Sequence, residues 1–66
     1  MDKIARLAQE RKARGMTQEQ LSAASGVHRV TIARIETGTA SPKAETLKRL
    51  ADALGVLVDD LMREAG

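Results

Sequence analysis

Arg29, Val30, Thr31 and Arg34 fall in a segment that reads as a short helix, and they are the side chains of this chain best equipped for recognition chemistry. With Ile32 and Ile35 placed inward at about 100° per residue, the outward arc is Val30, Ala33, Arg34 and Thr37, with Arg29 on its flank. An arginine there can make a bidentate contact to guanine O6 and N7 in the major groove of DNA, and an exposed valine or alanine can touch a thymine methyl. A solvated helix face gains nothing from Val30. On an isolated amphipathic helix, two surface arginines and one exposed aliphatic residue would be unremarkable charges and chance exposure. What gives them weight is the element that holds them.

That element is a pair of short helices in the stretch TQEQLSAASGVHRVTIARIETG, residues 17–38. Thr17 with Gln20 three residues later forms a capping box, in which each side chain satisfies the other residue's free backbone donor. Gly26 ends the first helix, because glycine enters the left-handed region without steric penalty and lets Ser25-Gly26-Val27 turn the chain into the next helix. Ile32 and Ile35 are expected to meet Leu21, Ala24 and Val27 in a shared core, with Ser22 and Ala23 as the small residues where the helices cross. Gly38 closes the second helix as its C′ residue. The pattern is a helix-turn-helix, whose second helix reads the major groove.

The residues that carry it, together with the rest of the chain, resemble the lambda repressor and Cro type of helix-turn-helix domain, a large group of small bacterial and phage regulators. They are Ile4 and Leu7, Thr17 through Leu21, Gly26-Val27, Ile32, Ile35 through Gly38, Pro42, Thr46-Leu47, and Leu50 through Val56 to Leu61. The resemblance covers nearly the whole chain, and the set is specific although each element alone is weak. It implies an all-α, compact five-helix lambda-repressor-like DNA-binding domain, a phosphate contact from Gln18, and base contacts from Arg29, Val30 and Arg34. Three positions depart from the family pattern. His28 stands where Ser or Thr usually opens the recognition helix, so it either donates to a phosphate or simply caps the helix. Ser22 replaces the usual alanine at the crossing. Leu57 takes the place of a polar cap for the last helix.

Length and composition agree with such a domain. Sixty-six residues make one domain, residues 1–66, and a chain of this size buries only about 60% of its unfolded surface. Phe, Tyr and Trp are absent, so Leu, Ile, Val and Ala must build the core. Without cysteine there is no disulfide and no thiolate metal site. The longest apolar run, Ala53 to Val58, is too short to span a bilayer, and no signal-peptide pattern opens the chain. A cytoplasmic protein without a membrane partner or a separate ligand-sensing domain is expected. Residues 1–42 carry seven Lys or Arg against four Asp or Glu, a balance of +3, whereas residues 43–66 carry four against five, a balance of −1. The basic part contains the motif, as a surface facing phosphates requires.

The remaining helices form a frame. The first is expected from about Asp2 to Arg14, stopped by Gly15, and its apolar positions Ile4, Leu7 and Ala8 continue at helical spacing onto Arg11. An arginine on that stripe needs a carboxylate, since an unpaired buried charge is costly. Glu36 is the expected partner, and the resemblance implies the same pairing; otherwise Arg11 lays its aliphatic stem on the core and reaches water. Ser41-Pro42 reads as the cap and first turn of a fourth helix that buries Leu47, Leu50, Ala51 and Leu54 and stops at Gly55. The fifth, from about Val58 to Glu64, has Asp59 and Asp60 in its first turn, where the helix dipole favours them. Glu45 with Arg49 and Lys48 with Asp52 are surface pairs at i, i+4 spacing.

Catalysis is not expected. One His, no Cys and carboxylates set beside basic residues give no converging acid-base or nucleophilic constellation, and Asp59 and Asp60 diverge by about 100° on a helix. Glycine-rich phosphate loops and metal-ligand spacing are missing too, so no cofactor and no metal are expected. The expectation is a transcriptional regulator, a repressor acting as a homodimer on a two-fold related stretch of double-stranded DNA. Arg29, Val30, Arg34 and Thr31 would read bases, while Thr17, Gln18, His28, Thr37, Thr39 and Lys43 would hold the backbone. Leu57, Val58, Leu61 and Met62 give the last helix more apolar surface than one core-facing stripe needs, and they are the expected dimer contact. The competing reading is an antitoxin-like or adaptor module of the same fold, whose main partner is another protein.

Overall fold

The computed structural model describes residues 6–62, which form five α-helices. They are α1 (Arg6–Ala13), α2 (Gln18–Ser25), α3 (Arg29–Glu36), α4 (Ala44–Leu54) and α5 (Val58–Met62). The helix start expected near Asp2 and the end expected near Glu64 lie outside the described residues. Each helix is short, so its stability comes from burial of one face and not from its own propensity. Leu7 of α1, Leu21 of α2, Ile32 and Ile35 of α3, Leu50 of α4 and Leu61 of α5 are completely buried. Every helix therefore contributes to one thin aliphatic core, which Val27, Leu47, Ala51 and Leu54 complete. α2 packs on α3 and α4, and α1 closes the other side against α3 and α5.

Local chemistry sets most boundaries. At the start of α2 the Gln20 N–H donates to Thr17 Oγ1 at 3.0 Å, and the Thr17 N–H donates to Gln20 Oε1 at 2.8 Å. Gly26 ends α2 with φ +77°. A Cβ there would meet Arg49 Nη1 at an ordinary 3.5 Å. The positive φ, not crowding, is what reserves the position for glycine. At the end of α3 the Gly38 N–H bonds to the Ile35 carbonyl and the Thr39 N–H to the Arg34 carbonyl. This is a Schellman closure, with Gly38 at φ +79°.

Two expectations need correction. Ala24 is exposed, not part of the core, and Ala23 is exposed as well. The inward stripe of α2 is the buried Leu21 with the half-buried Gln18, Ser22 and Ser25, and at 100° per residue both alanines fall well off it. Only Ser22 serves at the crossing. The second correction concerns α4, which starts at Ala44 and not at Ser41-Pro42. Lys43 is extended (φ −72°, ψ 161°), and its carbonyl accepts the first helical bond, from Leu47 N–H at 3.0 Å. Ala40 packs against the core, which holds the preceding segment and delays the helix. Pro42 thus precedes the N-cap, and α4 begins without a side-chain cap.

Candidate nucleic-acid interface

Burial of Ile32 and Ile35 fixes the rotation of α3 and so decides what the helix presents. Arg29, Arg34 and Thr37 are exposed, Val30 is 42% exposed, and Ala33 is half-buried. Thr31 is half-buried too, lining an open groove between the start of α3 and α4 together with His28, Thr46 and Arg49. Two guanidinium groups and an aliphatic residue therefore share one accessible helix face that the core does not need.

His28 caps this helix. The Val30 N–H donates to His28 Nδ1 at 3.1 Å, so Nδ1 is the unprotonated ring nitrogen in this arrangement. The ring N–H then sits on Nε2, free to donate to an external acceptor. Capping and phosphate contact, alternatives in the sequence, are thus compatible in one side chain. His28→Ala is expected to lower stability by about 1 kcal/mol, the usual worth of an N-cap. His28→Asn should restore most of it, because the asparagine oxygen can take the place of Nδ1. Thermal unfolding of the two variants checks this, and equal destabilisation would remove the capping role.

At the other end of α3, the Arg34 carbonyl lies 3.2 Å from both the Thr37 and the Thr39 hydroxyl, and the two hydroxyls are 3.2 Å apart. Each hydroxyl has one hydrogen. With one hydroxyl donating to the other and the second donating to the carbonyl, neither has a proton left for a phosphate. Thr37 and Thr39 are C-terminal capping groups in this structure, and a phosphate contact would require breaking one of these bonds. Lys43 is exposed at the N-cap of α4.

The start of α2 is tied to the end of α3 by a buried polar cluster. Arg11 Nε donates to Glu36 Oε2 at 2.7 Å and Nη2 to Oε1 at 3.1 Å, a two-point contact between side chains 10% and 7% exposed. Arg11 Nη1 also donates to the Met16 carbonyl at 2.7 Å, and Gln18 Nε2 donates to Glu36 Oε1 at 2.9 Å. Burial pushes the Glu36 carboxyl up, but the hydrogen bonds from Arg11 and Gln18 and the charges of Arg11 and Lys12 outweigh it, holding the carboxyl below its ordinary value. Hydrogen bonding to Glu36 chiefly holds the Arg11 guanidinium above its own. Arg11 does not snorkel. The first N–H groups of a helix have no acceptor inside it; Thr17 takes that of Gln20, and those of Gln18 and Glu19 have no acceptor within the helix.

Two contacts escape sequence reasoning. One is the Gln18 bond to Glu36, joining residues 18 apart. The other is Arg14, whose Nε donates to the Leu54 carbonyl at 2.6 Å while Nη1 pairs with Glu10. Its pairing with Glu10 follows i, i+4 spacing; a bond to a distant main-chain carbonyl leaves no such signature.

The expected dimer contact divides. Leu57 is 71% exposed and Met62 39% exposed, whereas Leu61 is completely buried and Val58 is half-buried against the core. Leu61 is therefore a core residue of this chain and is not available to a second copy. Because α5 is so short, its inward stripe takes Leu61 with Val58 beside it, which leaves Met62 on its outer side and Leu57, just before its first residue, exposed. The Leu57 N–H donates to Asp60 Oδ2 at 3.1 Å, the half of a capping box in which the third helical residue serves the backbone of the cap position, while the leucine side chain offers no acceptor to the first N–H groups of α5. Among the described residues no His, Cys, Asp and Glu side chains gather as a metal site would require, and no helix is long and apolar enough to cross a membrane.

Comparison with known proteins places the same segment in context. A family model described as helix-turn-helix matches residues 7–61. The chain is similar to the uncharacterized HTH-type transcriptional regulator RghRB of Bacillus subtilis strain 168, 43% identical over 61 residues, covering 91% of this chain and 44% of that protein. It is 41% identical over 66 residues to the HTH-type transcriptional repressor RghR of the same strain, covering 98% and 47%. It is also 38% identical over 56 residues to the cryptic phage CTXphi transcriptional repressor RstR of Vibrio cholerae, covering 85% and 50%. The chain thus spans about half the length of the curated relatives it matches. No solved structure matches it at comparable significance.

Proposed function

This chain belongs to the lambda repressor-like helix-turn-helix family, and from that premise we propose that it is a sequence-specific double-stranded DNA-binding regulator, a repressor acting in the cytoplasm as a homodimer on a two-fold related operator. The observation that carries this reading is the accessible face of α3, on which Val30 and Arg34 stand opposite the fully buried Ile32 and Ile35, with the exposed Arg29 on its flank. A helix that buries one stripe completely and presents arginines with an exposed valine on the other has the donors and the methyl surface that major-groove edges require. Two relatives are named as transcriptional repressors, which supports repression over activation. Gln18, the first N–H groups of α2, His28 Nε2 and Lys43 are the backbone contacts; Thr17 flanks them. The exposed Leu57 and Met62 are the contact with a second copy.

Selection of bound sequences from a random DNA pool would return the operator half-site and spacing, and Arg34→Ala then tests the assignment. This variant is expected to lose about 1 to 3 kcal/mol on the selected site and to relax preference at one base pair, as loss of a bidentate base contact should. Equal weakening on every sequence would make Arg34 a backbone contact instead. Failure to enrich any sequence, together with a co-purifying protein, would favour the protein-interaction module.

A further inference from the structure

We propose that Glu36 is a positioning residue for the DNA-backbone contact: its buried carboxylate holds the Gln18 amide in the one orientation that turns an N–H toward phosphate. This rests on the assignment of Gln18 to the interface made above. The geometry is a three-way junction at the Glu36 carboxylate. Arg11 Nη2 and Gln18 Nε2 both donate to Oε1, at 3.1 and 2.9 Å, while Arg11 Nε donates to Oε2 at 2.7 Å. An ionised carboxylate accepts hydrogen bonds and donates none, so it admits only the nitrogen end of the Gln18 amide. That choice has a consequence at the surface. Of the two amide hydrogens, one is engaged by Glu36 and the second is left at a fixed angle to it, at the first residue of α2, where the first backbone N–H groups have no acceptor within the helix. With the carboxylate absent the amide is free to reverse, and a carbonyl oxygen facing a phosphate repels it.

The Arg11–Glu36 pair has a place in this beyond packing. Arg11 lies across the carboxylate in two bonds and is anchored in turn on the Met16 carbonyl at 2.7 Å. It stops Glu36 from swinging toward solvent, and the carboxylate in turn holds Gln18. Three helices thereby fix one donor: α1 through Arg11, α3 through Glu36 and α2 through Gln18.

The test is a coupling measurement on the full chain. Gln18→Ala is expected to weaken binding to the selected operator and to a random-sequence duplex by the same factor, about tenfold, as for one lost hydrogen bond to a charged group. In an Arg11→Met, Glu36→Met background, apolar side chains fill the same space without leaving a lone charge. There, Gln18→Ala is expected to change binding by less than about twofold, because the amide has already lost its orientation. A purely structural role would alter stability in that background and leave the Gln18 factor intact. An equal factor in both backgrounds therefore overturns the positioning role while keeping Gln18 as a DNA contact. No effect in either background overturns both. Should the double substitution fail to fold, the unaltered chain decides by NMR. One Gln18 side-chain amide proton should be displaced by the carboxylate in the free protein and stay in place on titration with DNA, while the other shifts. Two protons with ordinary shifts, or two moving together, would overturn the proposal.

Discussion

Replacing either Arg11 or Glu36 with alanine is expected to lower the unfolding free energy by on the order of 3 kcal/mol, because each leaves its partner's charge in a nearly closed site. Each removal leaves two groups behind, Arg11 and the Gln18 amide for Glu36→Ala and the Glu36 carboxylate and the Met16 carbonyl for Arg11→Ala, so the two losses should be similar. For a chain this small that is a large part of the total stability. Removing both should cost clearly less than the sum of the single effects, since no lone charge remains. Denaturant unfolding of the two single variants and the double variant gives the coupling directly, and simple additivity would mean that the contact contributes nothing as a pair. The pair also has a pH signature. The folded-state carboxyl of Glu36 is held below its ordinary value, so its contribution is fully present above the ordinary carboxylate range and fades as pH falls through the lowered value. Unfolding free energy should therefore decline on acidification in the parent protein, and decline less in the Arg11→Met, Glu36→Met variant. A parallel pH dependence in both would place the acid-sensitive group elsewhere.

How much of this could be read from residue order depends on how local each cause is. The capping box of Thr17 and Gln20, the left-handed turn at Gly26 and the Schellman closure at Gly38 are settled within a few residues, and each is legible as a short motif. The inward rotation of α3 is equally legible, because Ile32 and Ile35 leave only one way to bury a stripe. A long-range pair could be read in one case, Arg11 with Glu36, since an apolar stripe that ends on an arginine requires a carboxylate across the core. Other features are decided by tertiary register. Ala24 has a suitable side chain for the core, but the stripe of α2 is set by Leu21 and Ser25 meeting α3 and α4, which turns Ala24 out. Ser41-Pro42 has a favourable start sequence for α4, yet Ala40 holds the preceding chain against the core and moves the start to Ala44. In the site itself, Arg29, Val30 and Arg34 were legible as an exposed face. The engagement of Thr37 and Thr39 with the Arg34 carbonyl was not, because a threonine after a helix looks the same whether its hydroxyl turns back or outward. Nor was the Gln18 bond to Glu36, which exists only because two helix ends meet.

The last helix provides the sharpest separation between a residue that holds the fold and residues that are free for a partner. Leu61 is completely buried, so Leu61→Ala removes an isopropyl group from a thin core and should cost about 2 to 5 kcal/mol. In a domain of this size such a loss is expected to leave much of the chain unfolded at room temperature. Met62 on the outside of the same helix and Leu57 just before its first residue are exposed, and substitutions there should change stability by no more than about 0.5 kcal/mol. Their role, if α5 meets its symmetry mate, lies in assembly. An isologous contact through Leu57 and Met62 would hold two copies of α3 about one DNA turn apart, roughly 34 Å, facing the same side of the duplex. Replacing both with glutamate sets like charges against each other across the two-fold axis, so cooperative occupation of the two half-sites should disappear while each half-site is still bound. Circular dichroism must show the helical content unchanged for the comparison to count. The contrast is the test: Leu61→Ala should lose structure and binding together, whereas Leu57→Glu with Met62→Glu should lose cooperativity alone. If cooperativity persists in that folded double variant, the two copies meet through another surface and Leu57 and Met62 have no part in assembly.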